Sequence, residues 1–278
     1  MFPPNLQLLS SLALLKVSTP GNFQSLRFLS RPNILAIPHK PSPKMSSCFS
    51  LVSLYSIYLR RLFLSAGLRP RTIQIDSQTT LHCWLPLSPS INPPLLLIHG
   101  FGPSPTWQWR YQIRSLSRHF SLYIPDLLFF GASTTASSDR SEVFQAASLA
   151  KMMEKLGVHR FSAVGTSYGG FVAYHLARIC GDRLEKVVIA SSGVNKRRRD
   201  NEELMEKAGV QRVSNLLLPA TAKELRTLLR LSVRRVPYVP DCLLNDVIRV
   251  SDGALPFFSS PRTTVLIFVV RFLGHAFR

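Results

Sequence analysis

The chain has 278 residues, 46% of them hydrophobic and 18% charged, with 34 Lys or Arg against 15 Asp or Glu and a formal charge of +19. That composition excludes a disordered polar chain, a collagen-like repeat and a disulfide-dense miniprotein. The length suffices for one large domain or two small ones with a sizeable core.

The charge is unevenly placed. Residues 1–75 hold nine basic residues and no acid, and residues 196–278 hold fifteen basic against eight acidic, including the run Lys196-Arg197-Arg198-Arg199. The excess sits in a tail and one helical region rather than on one folded face with interleaved aromatics, so no nucleic-acid partner is expected. Cys48, Cys83, Cys180 and Cys242 are far apart with no Cys-x-x-Cys pair, which implies neither a zinc site nor a disulfide framework. Reduced core cysteines are the expectation, and no metal or cofactor is called for.

Residues 1–44 lack acids and are rich in Ser, Leu and Pro, with scattered Lys16, Arg27, Arg31, Lys40 and Lys44. Two readings are open: an organelle transit peptide, or an extension ahead of a true start at Met45. The compartment is left open by this choice: cytoplasm, or chloroplast or mitochondrion if the segment is a transit peptide. Residues 45–71 form an apolar and basic helical segment. Its run from 48 to 64 is interrupted by Arg60 and Arg61 and falls short of the ~20 apolar residues a spanning helix needs, so a peripheral membrane contact is expected rather than a span.

From residue 72 the pattern changes. Residues 72–76 and 80–85 alternate around Ser77-Gln78-Thr79 as a hairpin. The continuous apolar run 95–98 suits a strand buried on both faces, ending at His99-Gly100-Phe101-Gly102. A helix over 107–119, a strand over 121–124 with Pro125-Asp126 and Gly131 in its exit turn, and a helix over 143–156 stopped by Gly157 follow. A strand over 161–164, a helix over 171–179 and a strand over 187–190 close the series. This alternation predicts an α/β fold with a mainly parallel sheet over residues 72–194. Helices at 201–208, 222–231 and 240–250 follow, over residues 195–250.

Gly165-Thr166-Ser167-Tyr168-Gly169 lies between a predicted buried strand and a helix, where a nucleophile elbow belongs. A tight turn would lift the Ser167 hydroxyl above the sheet. Gly165 and Gly169 would remove side chains that otherwise collide, and the helix would place its positive dipole end beside a developing oxyanion.

These stretches resemble the α/β-hydrolase superfamily, in particular plant serine hydrolases akin to epoxide hydrolases and monoacylglycerol lipases. The likeness rests on His99-Gly100-Phe101-Gly102, Pro125-Asp126-Leu127 and Val164 to Gly170, and spans about residues 45–250. It implies an α/β-hydrolase fold with a helical cap. It also implies that Ser167 is the nucleophile and that the backbone amides of Phe101 and Tyr168 form the oxyanion hole. An epoxide hydrolase would carry Asp at the elbow, so Ser167 implies hydrolysis of an ester, thioester or lipid acyl group through an acyl-enzyme. His99 is expected to brace its turn and Asp126 to organise its own.

The resemblance further implies an acid and then a His after the cap, each following a late strand. Residues 251–278 form an atypical basic and apolar tail in which the last strands of the family pattern are missing, as expected of a truncated product. Acid and base are therefore unassigned, with Asp252 and His275 the residues left as candidates and 263–270 the run that would serve as a strand before His275. The sequence thus carries two functions: a serine hydrolase taking a small ester or lipid, or an inactive α/β-hydrolase fold that binds a small ligand or a protein partner.

Overall fold

A computed structural model describes residues 51–88, 91–102, 104–195, 198–211, 216–232 and 238–254. Residues 1–44, Met45, Cys48, the run 263–270 and His275 lie outside them, and Asp252 is described in its backbone only.

The alternating segment forms the predicted hairpin, shifted toward the N-terminus. Strands β1 (Leu68–Gln74) and β2 (Thr79–Pro86) pair antiparallel, with Leu68 opposite Pro86 and Gln74 opposite Thr80. Asp76 stabilises the turn by accepting the Gln78 amide at 3.0 Å. Buried Leu68 anchors the earlier start, and Pro70 is tolerated because β1 is the outermost strand and needs no second row of amide donors.

The apolar runs become the parallel centre of the sheet: β3 (Pro94–Ile98), β4 (Ser121–Pro125), β6 (Phe161–Thr166) and β7 (Leu184–Ala190). The order is β1-β2-β4-β3-β6-β7, and a two-residue β5 (Thr134–Thr135), without signal in the sequence, pairs with β2. β4 lies on one side of β3 and β6 on the other, so the winding reverses at β3. Open α/β sheets place ligands at the carboxyl ends of the strands flanking such a reversal.

The two sheet faces are covered differently. On one, Leu96, Ile98, Phe161 and Ala163 pack with residues of α4 (Glu142–Lys155) and α5 (Tyr168–Cys180). Ser141 caps α4, its Oγ accepting the Phe144 amide at 3.1 Å. On the other face, Leu95, Leu97, Leu122 and Ile124 share a buried cluster with Leu59 and Phe63 of α1 (Leu51–Ser65) and with Trp107 and Trp109 of α2 (Pro105–Trp109). The helices predicted after residue 195 form as α6 (Arg198–Ala208), α7 (Ala222–Ser232) and α8 (Asp241–Ala254). Leu225, Leu229, Leu244 and Val247 of α7 and α8 belong to this same cluster.

One predicted helix is broken. Instead of 107–119, the chain forms α2 and a separate α3 (Ile113–Leu116). The Arg110 guanidinium donates to the Trp107 carbonyl, the acceptor that a continuing helix would offer to the Tyr111 amide. The Gln112 amide turns back to Trp109 O at 3.0 Å, a tighter i→i−3 bond that ends the turn. The cysteine expectation also needs one correction: Cys83 and Cys180 are buried, but Cys242 is exposed on α8, whose buried side is taken by Leu244 and Val247. No helix among the described residues is long and apolar enough to cross a membrane.

Candidate active site

Ser167 sits between β6 and α5 with φ 54° and ψ −117°, a backbone conformation that side chains disfavour. It is held there from both sides. Its amide donates to Ala190 O on β7 at 3.0 Å, and its carbonyl accepts the Gly170 amide at 3.0 Å. The flanking glycines are required by close approach: a Cβ on Gly165 would stand 2.1 Å from Gly169 O, and one on Gly169 would stand 2.5 Å from both His99 O and Ile98 O. Backbone meets backbone at these points, so no side-chain motion could relieve the clash.

The same packing joins the elbow to the turn after β3. A Cβ on Gly100 would lie 3.1 Å from Ser167 Cβ and 3.2 Å from Thr166 O, so the His-Gly-Phe-Gly turn rests directly on the elbow. Phe101 and Tyr168 become neighbours, their ring centroids 6.1 Å apart. Tyr168 is the first residue of α5, and its amide is one of the N-terminal donors that a helix leaves without an internal acceptor. Phe130, which sequence reasoning did not single out, completes an aromatic wall at 5.5 Å from Phe101 and 6.4 Å from Tyr168. Burial pushes the Tyr168 phenol well above its usual range, so the wall stays uncharged.

His99 is fully buried. Its Nε2 accepts the Leu127 amide at 2.9 Å, which fixes the proton on Nδ1, and Nδ1–H donates to Gly100 O at 2.7 Å. Desolvation lowers its pKa, so it stays neutral. Both ring nitrogens are engaged, and the imidazole braces the turn after β3 against the turn after β4. Asp126 organises that second turn: Oδ2 accepts the Ala132 amide at 2.8 Å and lies 3.1 Å from His82 Nδ1, while its carbonyl accepts the Ser133 hydroxyl at 2.7 Å. Gln145 of α4 exchanges two hydrogen bonds with the Leu128 backbone, at 2.9 and 2.8 Å. A glutamine at that helical position carries no sequence signal for this role.

The other described histidines do not reach the elbow in the same way. His175 is eight residues along α5 from Ser167, about 12 Å at 1.5 Å per residue, and His119 and His159 are exposed. Asp252 and His275, the candidates for acid and base, are not placed against Ser167 by the described side chains.

The alpha/beta hydrolase fold family matches residues 93–254, more than half of the chain and the whole stretch from β3 to α8. The chain belongs to this family. Among curated proteins it is similar to a soluble epoxide hydrolase of Corynebacterium sp. strain C12, 29% identical over 96 residues, covering 34% of this chain and 33% of that one. Among solved structures it is similar to a putative lipase from Acinetobacter baumannii, with a TM-score of 0.56, 21% identity and coverage of 69% of this chain and 62% of that one. It is also similar to a bacterial membrane phospholipase A, with a TM-score of 0.55, 26% identity and coverage of 70% and 60%. The chain spans about a third of the length of the curated relatives it matches.

Proposed function

We propose that this α/β-hydrolase-fold chain is a serine hydrolase that cleaves a carboxylic ester or lipid acyl group. The observation that carries the reading is Ser167 at φ 54° on the strand-to-helix turn, with the oxyanion-loop glycine packed on it. A strained non-glycine residue persists only where the surrounding structure over-determines it, and such residues concentrate at functional sites. In this reading Ser167 Oγ bonds to the acyl carbon as its proton passes to a base. The carbonyl oxygen, now anionic, takes hydrogen bonds from the amides of Phe101 and Tyr168. Collapse of the intermediate expels the alcohol, which takes up the proton, and water then releases the acid from Ser167 by the same steps. Each oxyanion donor of this kind is worth about 2.7–4 kcal/mol in the transition state.

The wall of Phe101, Phe130 and Tyr168 favours an apolar acyl portion over a charged one. The likeness to a membrane phospholipase A and the Ser at the elbow support the same choice. No cofactor enters the steps. His99 is spent on bracing, so the base is sought at His275, with Asp252 as its carboxylate.

A fluorophosphonate probe applied to the full chain tests this reading. Labelling is expected at Ser167 and absent from Ser167→Ala, with circular dichroism showing both folded. If labelled, His275→Ala should remove the reactivity. A folded chain that takes no label would overturn the hydrolase reading and leave an α/β-hydrolase fold that binds without acyl transfer.

A further inference from the structure

Helix α1 is largely apolar, yet only one side of it is buried. Val52, Leu59, Leu62 and Phe63 enter the core, while Leu51, Leu54, Ile57 and Tyr58 are 61%, 49%, 52% and 54% exposed. Leu51, Leu54, Tyr58 and Arg61 recur at i, i+3, i+7 and i+10, which places them on one outward stripe. The exposed side mixes these apolar side chains with Ser53, Arg60, Arg61 and Ser65, the make-up of a helix that lies at an interface rather than one enclosed on every side. Tyr111, also exposed, extends the surface from the turn between α2 and α3, since α2 packs on α1 through the Tyr55–Trp107 contact at 5.3 Å.

The charge in the sequence on either side of this stripe is almost wholly basic. Residues 1–125 contain twelve basic residues and one acid, Asp76. Arg60, Arg61 and Arg71 are exposed on or just after α1, and Arg114 and Arg118 are exposed on and after α3. Arg60 lies over the Trp84 ring at 5.5 Å, so its guanidinium is held at the rim of the helix. α8, which packs on α1, carries Asp241 and Asp246, and each of these is engaged by an arginine, Arg226 and Arg249.

We infer that the outward face of α1 docks the protein on an anionic lipid surface, with Leu51, Leu54, Ile57 and Tyr58 entering the acyl boundary and the arginines meeting the headgroups. Apolar insertion together with basic attraction is the combination that holds a helix in the plane of a membrane interface. A protein partner would need acidic groups ringing an apolar groove of matching shape. A lipid surface supplies negative charge and apolar depth everywhere. Because the opposite face of α1 stays in the core, docking requires no unfolding.

Sedimentation of the full chain with vesicles of phosphatidylcholine alone, and with about 30% phosphatidylserine, tests this. Binding is expected to the anionic vesicles and to be weaker by tenfold or more to the neutral ones, since each basic residue near the surface contributes about a fivefold factor. Leu54→Gln/Tyr58→Gln, at exposed positions, should lower anionic binding about tenfold or more with the melting curve unchanged. Wild type that stays in the supernatant would overturn the inference, whether residues 1–50 or a second copy covers the face. Light scattering across concentrations separates those two. Binding that the double variant retains in full would overturn it as well, and would point to the Lys196 to Arg199 run instead.

Discussion

Ser167 holds a backbone conformation that its side chain disfavours. A non-glycine residue at φ 54° carries strain of about 1–3 kcal/mol, whereas glycine adopts this region freely and loses about 0.5–1 kcal/mol more in chain entropy on folding. The balance favours glycine. Ser167→Gly is expected to stabilise the fold by roughly 1 kcal/mol, a rise of about 2–4 °C in Tm, while abolishing any probe labelling. The structure has space for the change, because the hydrogen bonds that hold the turn, to Ala190 O and from the Gly170 amide, use only the Ser167 backbone. A lower Tm for Ser167→Gly would mean the turn is not strained. In that case the positive φ would be no sign that Ser167 is a nucleophile.

Among the elements, α1 separates what packing and patterning each reveal. Leu59 is fully buried and shares a core cluster with Leu95 and Leu97 of the sheet, so Leu59→Ala should cost about 2–5 kcal/mol in urea unfolding. Leu54→Ala, five residues earlier on the open stripe, should stay within about 0.5 kcal/mol. Equal losses at the two positions would mean that Leu54 is covered in solution. The sequence showed both leucines in one apolar run and could not say which faced inward, because apolar residues recur on the buried and the exposed sides of the helix alike. The central strand at 95–98 was legible because it is a continuous apolar run stopped by a glycine turn, as strands buried on both faces are, whereas 161–164 carries Ser162 and was legible from the Gly165 turn that ends it. The break between α2 and α3 was not legible, since it depends on the Arg110 side chain taking the Trp107 carbonyl. The elbow glycines and Ser167 stood out by their spacing together with their place between a strand and a helix and the His-Gly-Phe-Gly turn before them. The His99–Leu127 and Gln145–Leu128 bonds that steady the surrounding turns join residues 28 and 17 positions apart and leave no local trace.

For the molecule as a whole, pH links the brace at the site to the charge of the entire chain. His99 is held neutral by burial, so its folded pKa lies below the ordinary 6.5 that it recovers on unfolding. Its contribution is therefore complete above pH 6.5. As pH falls below that value the unfolded chain takes up a proton that the folded chain does not, and stability declines by up to about 1.4 kcal/mol per pH unit until the folded pKa is reached. His175, lowered by partial burial, adds in the same direction. So does the formal charge of +19, because protonating carboxylates in acid adds to the self-repulsion of a compact basic chain. Salt separates the contributions: at 0.3 M the repulsion between exposed charges is screened beyond several ångströms, while a buried imidazole is barely affected. Urea midpoints between pH 7.5 and 4.5 should fall in both low and high salt, more steeply in low salt, and the slope that survives in high salt should flatten in His99→Gln. An unchanged slope in that variant would show that the imidazole between the two turns is not what acid attacks, and would move the acid sensitivity to the exposed charge.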